Sequence, residues 1–481
     1  MAKSKMATAS QILYFLVHPN QLRAVIQWKV WHEPVHRRDP SKETATEKAC
    51  FYYLELTSRS FAAVIQELNP ELLMPICLFY LVLRGLDTIE DDMTLDINEK
   101  VKLLRNFSEH METDGWTFDK NGPDEKDREL LVHFDQVIIE LKKVKRPYYE
   151  VIKDITIKMG NGMADYALKA ENGDLGVETI KDYELYCHYV AGLVGEGLTQ
   201  LFVESKLANP QLLVRMDLTE SMGQFLQKTN IIRDVHEDYV DKRRFWPREI
   251  WSKYVNTWDD MFLPENREKA MNCSSEMVLN ALKHADECLF YMAGVRDQSV
   301  FNFVAIPQTM AMATIDLVFR NPRIFDSHLK ITKGDACQLM SDSTQNLRIV
   351  CDVFKKYTRR IHKKNDPRDP SYLAISAQCG KIEQFIESIF PTQDPKKIEA
   401  AALQEEAAAA GGMGFWETAA LVGSALFVLL AIGGLMIGAA WFLGARFNHT
   451  FAELDSKVRG SITTTITTLA GAVPTPGHEE L

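Results

Sequence analysis

The chain has 481 residues, is 46% apolar and carries a formal net charge of −11, a length that supports one large domain or two ordinary ones. The acidic balance excludes a nucleic-acid binder, which needs a basic face. Eight cysteines without a C-x-x-C pair exclude a disulfide framework and a zinc site, and read as reduced thiols in a cytosol-facing domain.

Residues 1–39 read as an N-terminal extension. Its apolar run from Ile12 to Val17 stops at His18, Pro19 and Asn20, too soon for a signal peptide. From 40 to 390, apolar residues recur at three- and four-residue spacing, glycine is sparse, and no alternating strand run occurs. The pattern predicts a single all-α domain. Breaks are predicted at Asn69-Pro70, at 110–127, at Ala208-Asn209-Pro210, at Trp246-Pro247 and at 365–371. Residues 391–417 turn to Ala, Glu and Gly and read as a linker. Between Glu417 and Arg446 lie 28 residues without a charge. A bilayer needs about 20 apolar residues, so 418–445 is predicted to be a transmembrane helix. Nothing before residue 418 would start translocation, which leaves the large domain in the cytosol and 446–481 as a short lumenal tail. The sequon at Asn448 lies too close to the bilayer to be used.

The pattern Asp-x-x-Glu-Asp occurs twice, at Asp87, Glu90, Asp91 and at Asp234, Glu237, Asp238. Positions i, i+3 and i+4 share a helix face, so each copy sets three carboxylates together. Oxygen-only clusters suit Mg²⁺, which binds through carboxylates, water and substrate phosphates. The first copy follows a run apolar nearly all round, which marks a buried helix. Acids at that end oppose the helix dipole by roughly 0.3–1 kcal/mol each, a penalty a cation would offset. In the second copy Asn230, Asp234 and Asp238 are spaced i, i+4, i+8, so an amide extends the acidic stripe. The competing reading of either motif is a solvated acidic face. Two such stripes favour metal on opposite walls of one cavity. Arg59, Arg84, Lys228, Arg233, Arg243 and Arg244 accompany them, as a diphosphate would require.

Ser58-Arg-Ser-Phe61, Asp87-Thr-Ile-Glu-Asp-Asp92 and the blocks at 186–195, 227–234 and 299–308 occur in this order. Together they resemble the squalene synthases, of the fungal kind, over roughly residues 40–390. The resemblance implies an isoprenoid-synthase-like helical fold with a C-terminal anchor in the endoplasmic reticulum membrane. It implies that two farnesyl diphosphates are joined to presqualene diphosphate and reduced with NADPH to squalene, the first committed step of sterol synthesis. Contacts with other sterol-pathway enzymes would fit that setting. By the same resemblance Arg59, Arg84 and Arg233 stabilise the departing anion, Tyr186 takes part in proton removal, and Phe301 and Phe303 border the second half-reaction. For the two phenylalanines, core packing competes. NADPH contacts would come from Ser58, Ser60, Asn230, Lys330 and Lys333, since no strand-linked G-x-G-x-x-G exists. Thr332 and Tyr52 depart from basic residues common there, and Val235-His236 from an aromatic. A phytoene or dehydrosqualene synthase, without the hydride step, and an inactive membrane scaffold are the alternatives. The block at 299–308 and the anchor favour the reductive enzyme, and two complete acidic motifs oppose the scaffold.

Overall fold

The computed structural model describes residues 14–391, apart from 16 and 172–176, together with the isolated positions 424 and 434; the side chains of Arg59, Ser60 and Ala170 are not described. Apart from those positions, the predicted linker, span, lumenal tail and Asn448 sequon lie outside the described residues. Among the described residues there is no strand, only an isolated bridge between Ala208 and Val295. The helices used below are α1 (Pro19–Trp31), α2 (Ala45–Thr57), α3 (Arg59–Ile65), α4 (Pro70–Asp91), α5 (Ile97–Arg105), α6 (Arg146–Glu171), α7 (Ile180–Cys187), α8 (Leu193–Glu204), α9 (Met216–Arg233), α10 (Val235–Val240), α11 (Gln298–Val318) and α12 (Lys333–Ser343). The predicted breaks fall at helix ends or between helices.

Local chemistry sets these boundaries. Thr44 starts α2 with a reciprocal capping box to Glu47. Asn69 caps α4 ahead of Pro70, and Asp297 caps α11 by accepting from the Ser299 and Val300 amides. The two starts are bolted together, because the Asn69 amide donates to Ser299 Oγ at 2.8 Å and its side chain to Asp297 at 3.3 Å. Both helices are long and apolar enough to cross a membrane, yet both lie largely buried inside this domain. They are its core.

Helix α9 packs against α8, α11 and a π-helical turn at His188–Gly192. Gly223 makes that approach possible: a Cβ there would stand 2.5 Å from the Ala191 carbonyl oxygen. The π turn begins two residues after Tyr186, and such turns cluster at functional sites. All eight cysteines are buried and unpaired. Helix α1 packs on α12, where Gly334 lies under Gln21.

Candidate active site

The first acidic motif forms the last turn of α4, with Asp92 as its cap. Lys100, from α5, donates to the Glu90 carbonyl oxygen at 2.7 Å. A cation at the carbonyl end offsets part of the dipole penalty carried by the acids. Asp92 is spent on structure: it accepts from Thr94, Asn121 and Gly122 at 2.6–2.9 Å. Burial raises its pKa, but those bonds outweigh burial and hold it below the ordinary value.

The second motif straddles a break. Helix α9 ends at Arg233, Asp234 is its cap, and α10 begins at Val235. The Asp234 amide still donates to the Asn230 carbonyl and the Asp238 amide to that of Asp234, each at 2.9 Å. The stripe of Asn230, Asp234 and Asp238 expected on one continuous helix therefore survives across two.

The two motifs converge. Asp87, Glu90 and Asp91 face Asn230, Asp234, Glu237 and Asp238 across a chamber of about 260 Å³. Asp87, Val190, Gln227 and Asn230 also line a second, mainly apolar cavity of about 300 Å³, walled by residues such as Phe79, Leu83, Met159, Leu198 and Phe303. A charged compartment thus opens directly onto an apolar one.

The carboxylates outnumber the cations near them, and the protonation equilibria register it. Burial first, then Asp87 and Asp91, pushes Glu90 up to about 8. Asp238 is pushed to about 7, mainly by burial, with Asp234 adding to it and Arg243 opposing. Asp87 rises to about 6 for the same leading reason, against the pull of Arg84 at 3.3 Å. Arg243 bridges the walls, 3.3 Å from Asp91 and 3.3 Å from Asp238. An oxygen-rich, under-neutralised cluster fits a hard divalent cation.

The other expected residues divide. Arg84 lines the apolar cavity where Asp87 joins the two compartments, its guanidinium donating to Tyr80 Oη at 3.1 Å. Arg233 gives two hydrogen bonds to its neighbour Asp234, at 2.7 and 2.6 Å. Tyr186 lines the acidic chamber and stacks on Phe245 at 4.8 Å. Burial, then Glu90, raises its pKa well above the ordinary phenol value, so it stays neutral. Phe303 faces the apolar cavity, whereas Phe301 is core packing and lines neither compartment. Pro307, one turn on from Phe303, cannot donate to its carbonyl, so the helix loses a hydrogen bond beside the cavity.

Lys228 points away from the chamber. It is fully buried, 2.9 Å from His284 Nε2. Arg244 likewise turns outward, to Glu178 at 3.0 Å. Ser58 caps α3, while Lys330 and Lys333 are exposed and line neither compartment. Of the residues expected to hold the nucleotide, Asn230 lines both compartments.

Three features of the site were not legible in the sequence. Gln227 lines both compartments. Arg243 was seen as a nearby cation, but nothing in its spacing shows a bridge between motifs. His328 lies 2.7 Å from Glu237 and 3.3 Å from Asp234, and their ligating atoms cluster within 4.8 Å. It arrives from a loop 91 residues away with no pattern to announce it.

An all-helical scaffold with a paired carboxylate chamber above an apolar cavity defines the isoprenoid-synthase class. Residues 54–335 match the family described as squalene/phytoene synthase. The chain is 72% identical over 481 residues to the probable squalene synthase of Neurospora crassa, covering 99% of this chain and 100% of that one. It is 50% identical over 382 residues to the squalene synthase of Schizosaccharomyces pombe, covering 79% and 83%. A solved structure described as a complex of TcSQS with the ligand E5700 superposes with a TM-score of 0.68 at 41% identity, covering 72% of this chain and 99% of that one. The chain belongs to the squalene/phytoene synthase family.

Proposed function

We propose that this protein joins two farnesyl diphosphates head to head into presqualene diphosphate and reduces that intermediate to squalene. The observation that carries the reading is the shared wall: a diphosphate held in the acidic chamber sets its prenyl chain at the opening of the apolar cavity. The curated relatives at 72% and 50% identity, named squalene synthases, support it.

Magnesium is the metal of this reading, held by Asp87, Glu90, Asp91, Asn230, Asp234, Glu237 and Asp238. When bound it supplies Lewis-acid assistance to departure of diphosphate. The chain's own residues do the rest. Arg84 and Arg243 place positive charge beside the leaving group, Arg233 and His328 orient Asp234 and Glu237, and Arg59 is assigned to the anion as well. The apolar walls keep water from the allylic cation so that it meets the second prenyl chain. Tyr186 holds its proton at Oη and relays one only by passing its own to a neighbouring oxyanion, the released diphosphate being the nearest candidate. Phe303 offers its ring to cationic intermediates; Phe301 supports it from the core.

NADPH is the reductant of this reading, with Ser58, Ser60, Asn230, Lys330 and Lys333 as the assigned contacts. Ser58 caps α3 and Asn230 lines the acidic chamber, and no hydride step is derived through these residues. The reading also places the protein on the endoplasmic reticulum membrane, anchored by 418–445 with its domain in the cytosol among other sterol-pathway enzymes. Incubating the full chain with farnesyl diphosphate and Mg²⁺, with and without NADPH, tests the chemistry. Squalene with NADPH and presqualene diphosphate without it are expected. Presqualene diphosphate under both conditions would remove the reductive half, and no product at all would remove the reading.

A further inference from the structure

We propose that the exposed end of α1, Val30 and Trp31 with Lys29 and Arg37 beside them, is a second membrane contact that sets the mouth of the apolar cavity against an anionic lipid surface. Val30 is 69% exposed and Trp31 70% exposed. Isolated exposed apolar residues are ordinary. Here two are adjacent at a helix end, in a stretch with an unusual charge. Residues 20–37 contain Arg23, Lys29 and Arg37 against Glu33 alone, whereas Arg38 is paired with Glu43 at 2.6 Å, in a chain whose net charge is −11. Tryptophan favours the bilayer interface, and basic side chains are drawn to anionic headgroups. An exposed tryptophan and valine beside basic side chains match a lipid interface, which offers apolar depth and anionic headgroups together.

The position of this end gives the contact a use. Trp28 stacks on His32 at 3.8 Å, and His32 Nε2 lies 2.9 Å from Glu67. Arg38, a few residues on, donates to Gln66 at 2.6 Å and lays its guanidinium over Phe51 at 3.9 Å. The segment after α1 is therefore fastened to the end of α3. Two residues of α3, Phe61 and Ile65, line the apolar cavity, and Phe61 is 37% exposed, so the cavity reaches the surface there. Leu56, on the preceding helix, is 40% exposed. Gln66 and Glu67, which fasten that segment, directly follow the cavity-lining Ile65, so a hydrocarbon leaving past Phe61 would emerge beside the segment that continues from Trp31. Only this use rests on the proposed product; the contact itself is read from exposure, charge and attachment.

Because all eight native cysteines are buried, Val30→Cys in the full chain gives a single accessible thiol for an environment-sensitive NBD label. Leu373→Cys, at a site 78% exposed on another helix, is the matched control. With the protein in vesicles of equimolar phosphatidylcholine and phosphatidylserine, the label at 30 is expected to shift to the blue and resist aqueous quencher. The label at 373 is expected to remain as in water. Equal, water-like signals at both sites would overturn the proposal. A blue shift at 30 that needs no vesicles and grows with protein concentration would also overturn it, assigning the surface to a second copy of the chain. Paired Val30→Glu and Trp31→Glu should cut the multiple-turnover rate in vesicles severalfold and leave the first turnover intact. An unchanged multiple-turnover rate would overturn the placement of the cavity mouth at the bilayer. The fluorescence readout needs no catalysis, so failure of the proposed reaction and failure of the contact are read apart.

Discussion

Asp91 and Asp92 are neighbours in sequence with opposite employment. Asp91 is exposed to the chamber and meets Arg243, while Asp92 is 2% exposed and saturated by hydrogen bonds to Thr94, Asn121 and Gly122. Asp91→Asn should abolish turnover without lowering the melting temperature. Asp92→Ala should do the reverse in kind, costing about 1–3 kcal/mol of stability because buried donors lose their acceptor. Thermal unfolding beside a turnover assay separates the two; a stable Asp92→Ala protein would contradict the structural role. Arg243 supports a second expectation. Its guanidinium competes with a cation for Asp91 and Asp238, so Arg243→Gln should tighten Mg²⁺ binding without substrate by roughly two- to fivefold, the scale of one exposed ion pair. Calorimetric titration checks this, and weaker binding would count against it. The acidic residues were legible because charge repeated at helical spacing is visible in one dimension. The bridge by Arg243 and the reach of His328 were not, since they depend on how a turn and a distant loop fold back.

Helix spacing was legible wherever an apolar stripe meets a neighbour. The buried length of α4 and the cap at Asn69 follow from residues a reader can see. The interruption at Asp234 does not, because hydrogen bonds from Asp234 and Asp238 keep the i, i+4 stacking while the helix changes. Nor does the π turn at His188–Gly192 follow, since it packs against α9, far away in sequence. Gly223 marks that contact. Gly223→Ala would drive a Cβ against the backbone oxygen of Ala191, 2.5 Å away, and a backbone oxygen cannot swing aside as a side chain can. The expected cost is about 1–3 kcal/mol. Gln227 and Asn230 lie one and two turns further along α9, so Mg²⁺ affinity should fall as well. A Gly223→Ala protein with unchanged melting temperature and unchanged metal affinity would show that α9 can shift freely.

At the scale of the whole molecule, the arrangement stores an electrostatic debt that one sequence stripe alone would not reveal. Each motif separately could be a solvated face; only their convergence buries the charge. Glu90, Asp238 and Asp87, pushed up to about 8, 7 and 6, bind protons more tightly folded than unfolded. The sign follows from that. Their contribution to stability is complete below the ordinary carboxylate range and is lost as pH rises through those values. Without metal, the melting temperature should therefore fall between pH of about 5 and about 8. Mg²⁺ favours the charged forms, so its stabilising effect should grow over the same range, and its binding should release protons. Other groups titrate in that window too, which makes the difference between scans with Mg²⁺ and with chelator the meaningful quantity. Glu90→Gln should flatten the upper part of that difference, because its amide has no proton to give up. A metal effect that is constant with pH, or that shrinks as pH rises, would mean that the facing carboxylates are already ionised before any cation arrives, and that Arg84, Arg243 and Lys100 suffice to neutralise the chamber.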